Sequence, residues 1–113
     1  MTRTRLPDRR PSVWFSTVWQ GHEFAGTVGL DPSTAAPLEV FANAKRGALD
    51  SVLADAAVLI SVALQHGATV DELRRTLLLE MTFDGLEVPA SPIGAILKAV
   101  EDRLANLEPG EAP

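Results

Sequence analysis

The sequence predicts a small α+β domain: a three-stranded antiparallel sheet followed by three helices, with the sheet packed on a buried central helix. Three observations predict it. Apolar residues alternate through "SVWFSTVWQGHEFAGTVGL" and again through "PLEVFAN", the period of half-buried strands. From Ala48 onward the period lengthens to that of helices. Strands precede helices without interleaving, which is the order of a segregated α+β domain rather than of parallel βαβ units. A chain of 113 residues has the length of one such domain.

Residues 1–11 are polar, basic and bracketed by Pro7 and Pro11, which predicts a flexible or extended arm. The first strand then places Val13, Phe15, Thr17 and Trp19 on one face, and the second places Phe24, Val28 and Leu30 on one face around Gly26. Gln20-Gly21-His22 supplies the hairpin turn, with Gly21 free to take positive φ. "LDPSTAAP" is a loop, and Leu38, Val40 and Ala42 alternate with Glu39, Phe41 and Asn43 in a third strand.

The central helix is expected from about Ala48 to His66. Leu49, Val52, Leu53, Ala56, Leu59, Ile60, Ala63 and Leu64 make a broad apolar face, and even the back carries Val58 and Val62 beside Ser51, Ala54, Asp55 and Ser61. A helix apolar nearly all round is a buried one, so this helix is expected between the sheet and its neighbours, stopped by Gly67. Thr69-Val70-Asp71-Glu72 is a capping box opening a second helix to about Leu79. "MTFDGLEVPA" reads as irregular, with a turn at Asp84-Gly85. Ser91 caps a third helix with Pro92 at its first position, striped by Ile93, Ile96, Leu97, Val100, Leu104 and Leu107. The domain thus spans 12–107, and residues 108–113, "EPGEAP", form a disordered tail.

Composition narrows function. The chain has no cysteine, which excludes disulfides, a thiolate nucleophile and a zinc ribbon. The N-terminus has charge but no apolar run behind it, so a cytoplasmic protein is expected. "VLADAAVLISVALQHG" is shorter than the roughly 18 apolar residues of a membrane span and is interrupted by Asp55 and Gln65; no membrane partner is expected. Net charge is −5, but Arg3, Arg5, Arg9 and Arg10 stand in the first ten residues against Asp8 alone, leaving 6 basic and 14 acidic side chains, or −8, on the rest. A basic arm on an acidic body is the result.

The run "EVFANAKRG", the helix ending "SVALQHG", "TVDELRRTL" and the small-residue helix start "SPIGAIL" together resemble the TSCPD domain family. That family occurs at the C-terminus of adenosylcobalamin-dependent ribonucleotide reductases and as small stand-alone bacterial and prophage proteins, whose opening "TRLPDRRPSVWF" is similar to. The resemblance covers most of the chain and implies a link to nucleotide metabolism or to a prophage. One departure matters. The reductase-linked members carry a cysteine-containing tail taken to bind metal, whereas this chain has no cysteine and ends in "EPGEAP". Neither a metal role nor ribonucleotide reduction carries over, and no cofactor is expected.

No catalytic constellation is legible. His22 is predicted in a turn and His66 at a helix end, Ser51 and Asp55 lie one helical turn apart with no histidine near, and Ser61 reads as a packing residue. Asp55 in an apolar helix calls for an ion pair, with Lys45, Arg46 or an arm arginine available. The leading expectation is a non-enzymatic interaction or regulatory module, a homodimer or larger. It rests on an apolar surplus at Val58, Val62, Leu78 and Leu79. The alternative is a nucleic-acid or nucleotide-phosphate binder that uses Arg3, Arg5, Arg9 and Arg10 with Lys45 and Arg46 of the "NAKRG" turn, and an exposed tryptophan to stack on a base.

Overall fold

The computed structural model describes residues 10–44, 47 and 49–107. The elements are β1 (Ser12–Trp19), β2 (His22–Leu30), β3 (Pro37–Ala44), α1 (Leu49–Gln65), α2 (Val70–Thr76), β4 (Leu79–Met81), β5 (Glu87–Pro89) and α3 (Pro92–Ala105). The expected three-stranded antiparallel sheet is present in the order β1-β2-β3, with three helices. A short second sheet, β4-β5, is present as well, where the sequence reads as irregular.

Register follows from the turn and from the alternation. Gln20 (φ 48°) and Gly21 (φ 81°) both take positive φ, the type I′ geometry whose twist matches the flanking strands. His22 is therefore the first residue of β2, paired with Trp19, rather than a turn residue. Val13, Val28 and Val40 line up across the sheet, as do Phe15, Gly26 and Ala42. All of these apolar side chains are buried. A Cβ on Gly26 would overlap the Phe41 carbonyl oxygen and press on the Phe15 ring; the glycine is what lets that ring lie flat across β2. In the β2–β3 loop, Asp31 accepts hydrogen bonds from the Ser33 hydroxyl (2.7 Å) and backbone N–H (2.8 Å), which hold its carboxyl below the usual range.

One core joins this face to Leu53, Ala57, Ile60 and Leu64 of α1 and to Ile96, Leu97 and Val100 of α3. Full burial of a Phe or Leu side chain contributes roughly 1.5–3 kcal/mol, so this cluster holds the layers together. The position of α1 differs from the expected one. It packs chiefly on β3 while α3 packs on β1, and the two helices meet only briefly. Burial is therefore confined to one face of α1: Val52, Val58 and Leu59 are exposed on it, and Val62 is half-buried.

The helix ends obey their sequence signals. Gly67 (φ 103°) closes α1 with a bond from Gly67 N–H to the Leu64 carbonyl and one from Ala68 N–H to the Ala63 carbonyl, the Schellman arrangement. The Thr69/Glu72 capping box forms, and Ser91 caps α3 ahead of Pro92. α2 stops at Thr76 instead of running to Leu79, because Leu77 is already extended (φ −87°, ψ 158°) and the chain turns into β4.

Candidate interaction surface

The β4-β5 hairpin is built by backbone pairing, helped at its loop by Leu86 N–H donating to the Thr82 hydroxyl (3.0 Å). Leu79 pairs with Pro89, Glu80 with Val88 and Met81 with Glu87. Beyond them Thr82 N–H donates to the Leu86 carbonyl (2.7 Å) and Gly85 N–H to the Thr82 carbonyl (3.0 Å). Gly85 takes φ 84°, closing a three-residue loop with a left-handed residue at its end. Toward the body, Pro89 sits against Gly94 of α3, where any side chain would crowd it, and the Trp19 indole N–H donates to the Pro89 carbonyl (3.3 Å). β5 packs on α3; β4 is exposed along its whole length.

What this arm displays is apolar. Leu78 is 79% exposed, Phe83 at the tip is fully exposed, and Leu79, Met81 and Leu86 are exposed with them. A two-stranded hairpin is marginal by itself and gains stability from packing on something else. Contiguous apolar side chains of this size mark contact surfaces. Behind the arm, a cavity of about 90 Å³ is lined by Leu77, Leu78, Leu79 and Pro89 with Arg74 and Lys98. Arg74 ties α2 to α3 there: its Nε lies 2.9 Å from Glu101 Oε1, an ion pair whose angle falls outside hydrogen-bond geometry. Glu101 first, then Asp71, raises the Arg74 pKa above its ordinary value.

The four residues proposed from sequence as an interface fall on two surfaces. Leu78 and Leu79 belong to the hairpin. Val58 (59% exposed) lies beside β3 in a groove of about 310 Å³ shared with Phe41, Ala54 and Ala57, and Val62 is half-buried one turn on. Met81, Phe83 and Leu86 were missed. Their only sequence signal is a run of large apolar residues around Asp84-Gly85 with no helical or strand period.

Of the basic residues proposed for phosphate binding, Arg3, Arg5, Arg9, Lys45 and Arg46 lie outside the described residues. Arg10 is committed elsewhere. Its Nη2 and Nε reach the same Glu39 oxygen at 2.6 and 2.7 Å, and the neighbouring Pro11 carbonyl accepts from Leu30 N–H. Asp55 is exposed on α1, and the partners expected for it, Lys45, Arg46 and the arm arginines other than Arg10, lie outside the described residues. Ser61 does more than pack. Its Oγ accepts from Val40 N–H (2.9 Å) and donates to the Ala57 carbonyl (2.8 Å), while Gln65 Nε2 donates to the Leu38 carbonyl (2.9 Å).

The sheet face opposite the core is open. Trp14, Thr27 and Phe41 form one row across the three strands, with Trp14 63% and Phe41 53% exposed. The Arg103 guanidinium stands 6.0 Å from the Trp14 ring centroid. His22, exposed, stacks between Trp19 and Phe24 at 6.5 and 6.4 Å, and His66 is exposed at the end of α1. No group of three or more His, Asp or Glu side chains placed to hold a metal occurs among the described residues, and no described helix is long and apolar enough to cross a membrane. Comparison with protein-family models, with curated proteins and with solved structures returns no match, so this surface rests on its own geometry.

Proposed function

We propose that this protein is a non-enzymatic interaction module that works as a homo-oligomer and makes an apolar contact through its β4-β5 hairpin. The observation that carries the reading is the exposure of Leu78, Leu79, Met81, Phe83 and Leu86 on one short arm. Removing such side chains from water is favourable by about 25 cal/mol per Å², and the arm offers nothing in exchange for staying wet. The cytoplasm is the proposed compartment. The sequence resemblance to stand-alone TSCPD proteins adds a link to nucleotide metabolism or to a prophage as the setting.

The test compares the intact chain with a Leu78→Ser/Phe83→Ser variant by light scattering after size exclusion, at matched concentrations. The intact chain is expected to form the larger assembly, with unchanged far-UV circular dichroism in the variant. Equal masses remove the hairpin as the contact.

A second reading is favoured by the row Trp14-Thr27-Phe41, since exposed aromatics on an open sheet face can stack on unpaired bases. Binding of single-stranded RNA or DNA would then fall steeply with salt and weaken at least several-fold in Trp14→Ala. Glu23 on the exposed sheet surface and the acidic body oppose it, which is why it stands second. Equal gel shifts for Trp14→Ala and the intact chain exclude it.

A further inference from the structure

β1 is an edge strand, and its outer edge is only partly used. The Trp14 carbonyl, which points to that edge, accepts from Arg103 Nε (2.9 Å). Because backbone groups alternate in direction along an antiparallel strand, the N–H and C=O of Ser16 and Val18 point to the same edge, and neither residue makes a hydrogen bond there among the described residues. The edge looks into a groove floored by α3. One end of it, about 360 Å³, is bounded by Trp14, Ser16, Arg103 and Asn106; the other, about 410 Å³, by Val18, Gln20, Lys98 and Pro89. Thr17, Ala99 and Asp102 line both ends, so the groove is continuous past the middle of the strand.

We propose that this groove takes β1 of a second copy of the chain, antiparallel across a two-fold axis near Ser16, giving a continuous six-stranded sheet. Two features select a second copy over any other extended segment. The first is the strand itself. Pairing Ser16 with its own copy sets Trp14 against the partner's Val18 at both ends, so the two exposed apolar side chains cover each other and the small serines meet at the centre. Unpaired N–H and C=O groups of Ser16 are exchanged in full, and Trp14 N–H meets the partner's Val18 carbonyl. The second is charge. Along the groove, α3 carries Lys98 and then Asp102, paired with each other at 2.7 Å and both half-exposed. A two-fold axis runs the second α3 the opposite way, which sets Lys98 of one copy against Asp102 of the other. The pattern is complementary to itself and to no single-signed peptide.

This contact is separate from the hairpin reading, and the experiment keeps them apart by starting from the Leu78→Ser/Phe83→Ser variant. In that background the chain is expected to be a dimer by light scattering and analytical ultracentrifugation. Lys98→Asp makes this pair of positions wholly acidic and Asp102→Lys makes it wholly basic. Each is expected to weaken the dimer on the order of tenfold or more, since like charges meet across the axis, while far-UV circular dichroism stays unchanged. Mixing the two is expected to restore a dimer containing one of each, read by native mass spectrometry. Ser16→Pro, which deletes the central edge N–H, is expected to abolish dimerisation, and Ser16→Ala to retain it; if the proline variant misfolds, the charge pair still decides. A monomeric parent, undiminished dimers in both charge variants, or failure of the mixture to form the heterodimer overturns the proposal. A parent that is dimeric with the same mass as the intact chain overturns the hairpin reading instead and leaves this one standing.

Discussion

At Gly26 the absence of a side chain decides how the sheet packs. The position faces the core opposite Phe15, and a methyl group there would meet both the Phe41 carbonyl and the Phe15 ring. Backbone cannot step aside as the end of a flexible side chain can. Gly26→Ala is therefore expected to destabilise by about 1–3 kcal/mol, in the range of overpacked cores, measured as a lower urea midpoint with unchanged slope. A variant as stable as the parent would mean that β2 and β3 separate freely there. Ser61 is the second decisive residue. Its hydroxyl is buried and holds Val40 N–H, so Ser61→Ala leaves a buried donor unpaired and should cost about 1–3 kcal/mol. Sequence pattern reveals only half of these roles. A glycine amid alternating apolar residues signals close approach, but a serine on the back of an apolar helix reads as a small packing residue until β3 is seen beside it.

Among the elements, legibility tracks burial. The strands β1 to β3 each bury one face, so selection for a core writes a period of two into them, and their core-facing residues are legible. Their register is not, because the sequence places His22 in the turn and the structure pairs it with Trp19. The caps of α2 and α3 were equally legible, because capping is local chemistry. The β4-β5 hairpin was not. With no face buried, Leu79, Glu80 and Met81 have no reason to alternate, and only the Asp84-Gly85 turn survives as a signal. α1 misleads for the converse reason: Val52 and Leu59 of its expected apolar face and Val58 of its back are apolar without being covered, so composition alone implies burial. A dynamic consequence follows for the hairpin. Its amides, held by a two-stranded ladder in water, open locally at little cost. Hydrogen exchange at low concentration should therefore run faster at Thr82 and Ala90 than at Val28 by a factor of about a hundred or more. If the hairpin makes the proposed contact, that gap narrows as concentration rises. A concentration-independent gap would place the contact elsewhere.

For the molecule as a whole, charge and apolar surface oppose one another. At pH 7 the net charge is −5, and the resulting mutual repulsion limits association through the hairpin and the open sheet face. The sequence pI is about 4.9, so acidification removes that repulsion while leaving the apolar surface in place. Turbidity and assembly mass are expected to rise as pH falls toward 5 and to decline again below 4, where the protein becomes cationic. A Leu78→Ser/Phe83→Ser variant should show a weaker maximum at the same pH, since charge sets its position and apolar surface its height. A maximum of equal height in both would assign the association to another face, with the groove along β1 the next candidate.

The bonds from Ser61 and Gln65 to β3 also fix an order of events during synthesis. β3 ends at Ala44 and the helix that caps its outer edge ends at Gln65, so about 20 residues separate the strand's completion from the arrival of its cover. At about 5–20 residues per second this is an interval of roughly one to four seconds, in which the Leu38 carbonyl and Val40 N–H stand open beside three newly made strands. That interval is long compared with the microseconds in which a hairpin forms. A nascent sheet is thus present before its protection exists, and neighbouring ribosomes on the same message hold identical unprotected edges at high local concentration. A Ser61→Ala/Gln65→Ala chain never closes that window, and its yield in soluble form should fall further than its loss of equilibrium stability accounts for.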